Sequence, residues 1–415
     1  MYQIPRGTRD FLPEQAERFR CLEAAAVRLA SQYGYGEMRT PIFEYSELFE
    51  RSVGESTDIV EKEMYTFQDR GERSLTLRPE GTAGVVRAFV EHKLYNGPLP
   101  AKYFYFGPMF RYEKPQAGRY RQLWQFGVEL LGADGPLADV EVIALGWQYY
   151  RELGVEATLV LNSIGCRQCR EEYKKALVAY LRGREICKLC SGRLERNPLR
   201  VLDCKEESCQ RELEGAPRIS QYLCPACQEH FEGVKAGLAG LAIPYELDDR
   251  LVRGLDYYNR TTFEYKTEQL GSQDALGGGG RYDGLVELVG GPSIPAVGLA
   301  LGIDRIELMD PPALKAAEGR RGVWLVTMEP AADKAISLVH PLRQQGVMLQ
   351  YDLLGRSFKA QFKQADRSNS RWTLIIGPDD LEQGQAVLKD METGEQQQLA
   401  LETLVQLVSN LEGVK

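Results

Sequence analysis

Four arginines stand in apolar or aromatic surroundings: Arg78 in LTLRPEGT, Arg111 in GPMFRYE, Arg253 in LVRGLDYY and Arg305 in GLALGIDR. A guanidinium beside buried strands is costly unless it meets an anion. Its planar fork can bond phosphate or carboxylate bidentately. One such arginine is equally well explained by a structural ion pair. Four together point to a polyanionic small molecule, such as a nucleoside triphosphate. Acids and phenols gather near them. Asp256, Tyr257 and Tyr258 follow Arg253, Tyr282 and Asp283 follow the run Gly277–Gly280, and Glu129 lies on an apolar strand. Such groups either orient a polar ligand in a pocket or simply pack a sheet. The glycines either bring backbone close to a ligand or form a flexible turn, the commoner role.

Other chemistries have little support. There is no GxxxxGK[ST] loop and no GxGxxG followed by a suitable acid. The histidines, His92, His230 and His340, are far apart, so neither a His-rich metal site nor a Ser-His-Asp arrangement is indicated. The cysteines are more informative. Apart from Cys21 they form four pairs: Cys166/Cys169, Cys187/Cys190, Cys204/Cys209 and Cys224/Cys227. The N-terminus MYQIPRGTRDF lacks the apolar segment of a secretory signal, which predicts a cytoplasmic protein with reduced thiols. Three CxxC pairs there read as metal knuckles, two zinc ions with four sulfurs each, or else as small buried residues.

With 43% hydrophobic and 27% charged residues, the composition is globular. No apolar run reaches the roughly 18–20 residues that a membrane helix needs. The net charge is −8, so contact with nucleic acid must come from local basic patches. Two exist. Arg111, Lys114, Arg119 and Arg121 oppose only Glu113, and Arg356, Lys359, Lys363, Arg367 and Arg371 oppose only Asp366.

The elements that must hold these groups can be read from spacing. Apolar residues at helical intervals predict a helix over 13–33, and another over 137–153. Residues 103–112 and 123–131 read as a long hairpin around a basic loop. Strands are expected at 259–266 and at the start of 295–309, with helices at 283–289 and at the end of 295–309. The stretch 310–322, DPPALKAAEGRRG, reads as a linker. Beyond it, apolar runs at 323–328, 347–354 and 372–377 alternate with helical stretches at 331–345, 357–368 and 398–410. That order predicts a small α/β domain, while the first 310 residues fit an antiparallel sheet with packed helices.

These strings together resemble histidyl-tRNA synthetase, a class II aminoacyl-tRNA synthetase, along the whole chain. RTPIFE (39–44) is similar to class II motif 1, FGPMFRYEKPQAGRYRQLWQFGVELLG (106–132) to motif 2, and AVGLALGIDR (296–305) to motif 3. LVRGLDYYNRTTFE (251–264), GGRYDGL (279–285) and TLRPEGT (76–82) resemble peptides peculiar to the histidine enzymes, and 357–396 resembles their anticodon-binding domain.

The resemblance implies an α+β fold with a six-stranded antiparallel class II sheet and flanking helices. The implied order is catalytic core at 1–163, a Cys-rich insertion at 164–230, catalytic core again at 231–310, a linker at 311–322, and a C-terminal α/β anticodon-binding domain at 323–415. It implies a homodimer that activates L-histidine with ATP and Mg²⁺, then transfers it to histidine tRNA. Arg253, Arg111 and Glu113 would be catalytic. Arg111, Glu113 and Arg305 would bind ATP. Glu80, Thr82, Arg111, Gln125, Glu129, Arg253, Tyr257, Tyr258 and Tyr282 would bind histidine. Arg119, Arg121, Lys359, Lys363 and Arg367 would contact tRNA, and the insertion would contact its acceptor arm. The cysteines are not a general mark of the family; on their spacing alone, structural zinc would fall to Cys166, Cys169, Cys187, Cys190, Cys204, Cys209, Cys224 and Cys227.

The chain departs from the family where motif 2 carries an adenine-stacking Phe. Leu123 stands there, and the adjacent Trp124 should face away, because strand residues alternate. Ala300 replaces a common glycine of motif 3. Two other readings compete: the synthetase-like regulatory subunit of ATP phosphoribosyltransferase, and a class II-like ligase that makes a small amide without tRNA. The intact LVRGLDYY and the domain after residue 322 disfavour the first. The basic patches and the same domain disfavour the second.

Overall fold

Alternation along LWQFGVELL decides how the central hairpin faces. Gln122–Leu131 pairs antiparallel with Ala101–Phe110, Tyr103 opposite Glu129 and Met109 opposite Leu123. Trp124, Phe126, Val128 and Leu130 enter an apolar core with helices Pro13–Gln32 and Pro136–Leu153. Leu123, Gln125 and Glu129 are left for the opposite face. This computed structural model describes residues 2–54, 57, 59–271, 274–315 and 319–414. In it the hairpin continues into Ala296–Gly302, Ala275–Arg281, Asn259–Lys266 and Thr158–Ser163, all antiparallel. The two-residue strands Gly36–Glu37 and Glu246–Leu247 add parallel edges at the two ends. The sheet thus has eight strands; its antiparallel body is the one expected, and the short edges are an addition.

Both long helices begin with proline, whose fixed φ suits a first helical position. The buried stripe Phe19, Leu22, Ala26 and Leu29 fastens Pro13–Gln32 to the sheet. The expected helix at 283–289 is shorter, Leu285–Leu288. A three-stranded sheet of Phe43–Tyr45, Ser74–Leu77 and Tyr65–Gln68 was not indicated by spacing. Its strands are only three or four residues long and largely exposed, so they carry little alternation.

The glycine run corrects the flexible-turn reading. Gly277–Gly280 lies inside Ala275–Arg281 and pairs on both sides, Gly279 with Leu299 and with Phe263. A Cβ on Gly279 would overlap the carbonyl oxygen of Gly298, and one on Gly278 would overlap that of Phe263. Neighbouring strands therefore approach more closely here than side chains allow.

The chain divides into two compact units, Met1–Lys315 and Ala316–Lys415. Within the expected linker, Pro312–Lys315 forms a short helix, and residues 316–318 lie outside the described residues. The second unit has a five-stranded sheet ordered Leu349–Tyr351, Val323–Thr327, Trp372–Ile376, Gln385–Asp390, Gln396–Ala400. The first three strands are parallel and the last two antiparallel. The helix expected over 398–410 is confined to Leu404–Ser409, because Gln396–Ala400 is an edge strand. The cysteine-bearing segment is helical. Its Tyr173, Leu177, Leu199 and Val201 share one apolar cluster with Val86, Phe89 and Leu131.

Candidate active site

On the sheet face away from the long helices lies a cavity of about 250 Å³. The hairpin contributes Leu123 and Gln125, and the loop between its strands contributes Arg111, Glu113 and Arg119. Arg253, Tyr257 and Tyr258 enter from the 251–258 loop, and Arg305 from helix Ile303–Leu308. Glu80 and Thr82 close one side. Glu129 and Tyr282 lie behind Thr82. Glu129 is fully buried and accepts hydrogen bonds from Thr82 Oγ1 at 2.6 Å and from the Tyr282 hydroxyl. A Cβ at Gly298 would overlap Glu129 Oε2, so this glycine seats the carboxylate.

Trp124 faces the other way, 6.0 Å from the Phe19 ring and 5.9 Å from that of Phe106. Only Leu123 of the two reaches the cavity, as alternation requires.

The cations are held from behind. Arg111 Nε donates to the Pro79 carbonyl at 2.8 Å, and Arg111 has no ion pair among the described residues. Arg253 Nη1 meets Glu264 Oε1 at 2.7 Å, while its Nε is enclosed without a hydrogen-bond partner. Burial alone would lower the Arg253 pKa; Glu264, together with Tyr258 and Tyr257, more than reverses that. Arg305 Nη1 donates to the Ala275 carbonyl, and burial, then Arg119, lowers its pKa. Glu113 pairs with Arg119 at 3.3 Å. Arg121 is not brought to the cavity: it lies 3.9 Å over the Tyr112 ring and bonds the Glu113 and Arg6 carbonyls.

Glu80 caps helix Thr82–Glu91, accepting from the backbone N–H of Thr82 and Ala83, each at 2.7 Å. Burial raises its pKa, and those two N–H groups act against the rise. Burial pushes Glu129 up to about 8, against the Thr82 and Tyr282 hydroxyls and with help from Glu80. The ordinary value is 4.5. In between, the folded chain keeps a proton that the unfolded chain has lost. This contribution to stability is complete below 4.5 and is lost as pH rises through about 8. In urea unfolding, wild type should therefore lose stability relative to Glu129→Gln between about pH 5 and pH 8. A difference that stays flat or grows would sink this account of Glu129.

Spacing alone did not reveal three further members. The Tyr105 ring fills the space beneath Gly81 and Gly127, where a Cβ would strike it, and its hydroxyl is buried without a partner. Glu264 fixes Arg253. Asp304 accepts from the backbone N–H of Trp124 at 2.5 Å and pairs with Arg9 at 2.7 Å. Their signal was weak: Tyr105 sits among aromatic neighbours, Glu264 meets Arg253 only because the loop between them folds back, and the partners of Asp304 are distant in sequence.

The thiols fall into two tetrads, Cys166/Cys169/Cys224/Cys227 and Cys187/Cys190/Cys204/Cys209, with all sulfurs of each within 4.8 Å. None is disulfide-bonded. Four sulfurs around tetrahedral zinc at about 2.3 Å are about 3.8 Å apart. The Cys166–Cys169 and Cys187–Cys204 sulfurs are 3.6 and 3.9 Å apart. Backbone N–H groups of Cys190 and Cys224 point at Cys187 and Cys169 sulfur, at 3.4 and 3.1 Å. The donor set fits zinc. In the second unit, Lys359, Lys363 and Arg367 form an exposed stripe on helix Phe358–Arg367, opposite buried Gln361 and Ala365.

Residues 7–306 match the family described as Histidyl-tRNA synthetase. The chain belongs to the histidyl-tRNA synthetase family. Residues 323–411 match the anticodon binding domain family. A histidine–tRNA ligase of Halothermothrix orenii is 50% identical, covering 99% of each chain. One of Desulforamulus reducens is 50% identical over 97% of each. Among solved structures, the apo histidyl-tRNA synthetase of S. aureus is 41% identical with a TM-score of 0.82, covering 99% of this chain and 100% of its own.

Proposed function

We propose that the chain is the ATP-dependent ligase that joins L-histidine to its tRNA, with this cavity as the site of histidyl-adenylate formation. The supporting observation is that Arg111, Arg253 and Arg305 share one cavity with Gln125 and Tyr258, and that Glu129 backs it. The histidine carboxylate attacks the α-phosphorus of MgATP, an O–P bond forms and pyrophosphate leaves. Two anions must approach, and fixed cations offset their repulsion and the charge that builds on phosphorus. Arg111 and Arg253 take the α-phosphate and the carboxylate, Arg305 the γ-phosphate end, and Glu113 positions ATP. Glu80, Thr82 and Gln125 receive the α-amino group. Glu129, Tyr257, Tyr258 and Tyr282 recognise the imidazole, whose two polar edges need an acid and phenols. The terminal adenosine hydroxyl of the tRNA then attacks the adenylate carbonyl and AMP departs. Pyrophosphate exchange into ATP that depends on histidine, without tRNA, tests the reading. Exchange indifferent to the amino acid refutes it, and no exchange would favour the regulatory-subunit alternative.

Arg119 beside the cavity, Arg121 behind it and the stripe Lys359, Lys363 and Arg367 are assigned to tRNA. Changing the three stripe residues to Ala should flatten the salt dependence of tRNA charging by about one log unit per residue, and leave pyrophosphate exchange unchanged. An unaltered salt slope would remove the stripe from the interface. Ile42, Phe43, Tyr45 and Phe67 are exposed on or beside the small sheet. An apolar surface of this kind is suited to burial between two copies, and we assign a homodimer that buries it. No helix among the described residues is long and apolar enough to cross a membrane. We assign a cytoplasmic location and one structural zinc ion per thiol tetrad.

A further inference from the structure

Residues 251–258, which carry Arg253, Tyr257 and Tyr258, are neither helix nor strand. Their shape must come from bonds supplied by other segments. Two come from the cysteine-bearing segment, and a third bond from that segment holds Arg250, the residue just before the loop. Arg170 Nη1 donates to the Tyr258 carbonyl at 2.8 Å. Asn197 Nδ2 donates to Asp256 Oδ1 at 2.7 Å. Gln210 Oε1 accepts from Arg250 Nη1 at 3.0 Å.

Each of these side chains is attached to a thiol tetrad. Arg170 follows Cys169 on helix Arg167–Leu181. Gln210 follows Cys209, and its amide also bonds the Cys204 carbonyl. Asn197 ends helix Lys188–Arg196, which carries Cys190 and begins after Cys187. The backbone repeats the link, because Gly165, just before Cys166, accepts from Arg260 N–H at 2.9 Å. The other half of the first tetrad is tied in separately. Helix Pro225–Gly240 carries Cys227 and His230. His230 Nε2 lies 3.3 Å from Arg281 Nε, and Arg281 directly precedes Tyr282, the donor to Glu129.

We infer that the two zinc–thiolate centres are positioning elements for histidine activation, the first holding the Tyr258 end of the loop and the second its Arg250–Asp256 part. This rests on the reading of the cavity as the histidine-activating site. It gives the cysteine segment a task in the first half-reaction, which needs no tRNA. Zinc–sulfur bonds would fix the helix starts that carry Arg170 and Gln210, and the start of the helix whose far end presents Asn197. Without the ion, the loop keeps its residues and loses the frame that aims them. Displacement of a substrate-holding group by about 1 Å can cost roughly 10²-fold in rate.

The test compares zinc-loaded, chelated and zinc-reconstituted full-length protein. Zinc is measured by elemental analysis, and folding by thermal unfolding. Two zinc ions per chain are expected. Chelation should lower histidine kcat/KM in pyrophosphate exchange by roughly 10²-fold, through kcat by way of Arg253 and through the histidine KM by way of Tyr258, with the ATP KM nearly unchanged, and added zinc should restore it. Because chelated protein can unfold, Arg170→Ala, which keeps every thiol, is the second arm. It should keep both zinc ions and raise the histidine KM about tenfold, and Arg170→Lys should recover much of the loss. Zinc-free protein with wild-type histidine kinetics, or Arg170→Ala with an unchanged histidine KM, overturns the inference alone. Zinc-loaded wild type without histidine-dependent exchange overturns the functional reading and the inference with it.

Discussion

Arg253→Ala slows histidyl-adenylate formation by about 10²–10³-fold, the loss measured for removing one donor aimed at developing transition-state charge. Binding of histidine and ATP falls much less, because the ground-state ligands retain Arg111 and Arg305. The geometry explains the size. Glu264 holds one end of the guanidinium at 2.7 Å, so the group is preorganised and does not have to be recruited during reaction. Its enclosed Nε has no protein partner to give up. Arg253→Lys should recover only part of the rate, since an ammonium keeps charge but loses the planar fork. Single-turnover adenylate formation with saturating substrates decides the matter, beside a thermal melt that shows the effect of leaving Glu264 unpaired. A variant that forms adenylate at the wild-type rate removes Arg253 from the chemistry.

Gly279→Ala destabilises the first unit by about 3 kcal/mol or more, the upper end for forcing one carbon into a packed interior. The new Cβ meets backbone on the adjoining strand, the Gly298 carbonyl and, at 2.8 Å, Leu299 Cα. Backbone within a sheet paired on both sides cannot swing aside as a side-chain tip can. Gly284→Ala is the control. It has ordinary negative φ and no atom within 4 Å of the added carbon, so a change within about 0.5 kcal/mol is expected. Thermal unfolding of the two proteins side by side is sufficient, and equal melting temperatures would disprove the close strand approach.

Legibility of the fold in the sequence followed the side chains. The hairpin and the Pro13–Gln32 helix are clear because large apolar residues mark their period, and the same alternation foretold the separation of Leu123 from Trp124. The glycine strand has no side chains to carry a pattern, so only its neighbours reveal it. The edge strand Gln396–Ala400 buries Leu399 alone, too little to mark two-residue periodicity. For the site, Arg111, Arg253 and Arg305 meet in one cavity, whereas Arg78 bonds the Pro108 and Thr40 carbonyls, and the individual roles came from family resemblance rather than from spacing. Arg121 shows the limit. It belongs to the basic loop by sequence, but an aromatic ring and two carbonyls hold it away from the cavity. Tyr105 and Asp304 depend on contacts between distant segments, and Glu264 on the fold of the loop between it and Arg253, which no local pattern records.

The tetrads are nested: the first and last cysteine pairs share one centre and the middle pairs share the other. A chain growing from its N-terminus presents its thiols in a different order. Cys166, Cys169, Cys187 and Cys190 are all made before Cys204, so the earliest complete set of four sulfurs is a wrong one. A metal captured then would join the beginnings of two helices that belong to separate centres. A chain that captured a metal at that stage would have to exchange early ligands once Cys204 and Cys209 emerge, and the outer set of four is complete only after Cys227. The loop 251–258 is synthesised later still. If each tetrad takes zinc as proposed, the supply and exchange rate of metal during translation, on a scale of roughly 5–20 residues per second, would govern how many new chains acquire a correctly framed loop.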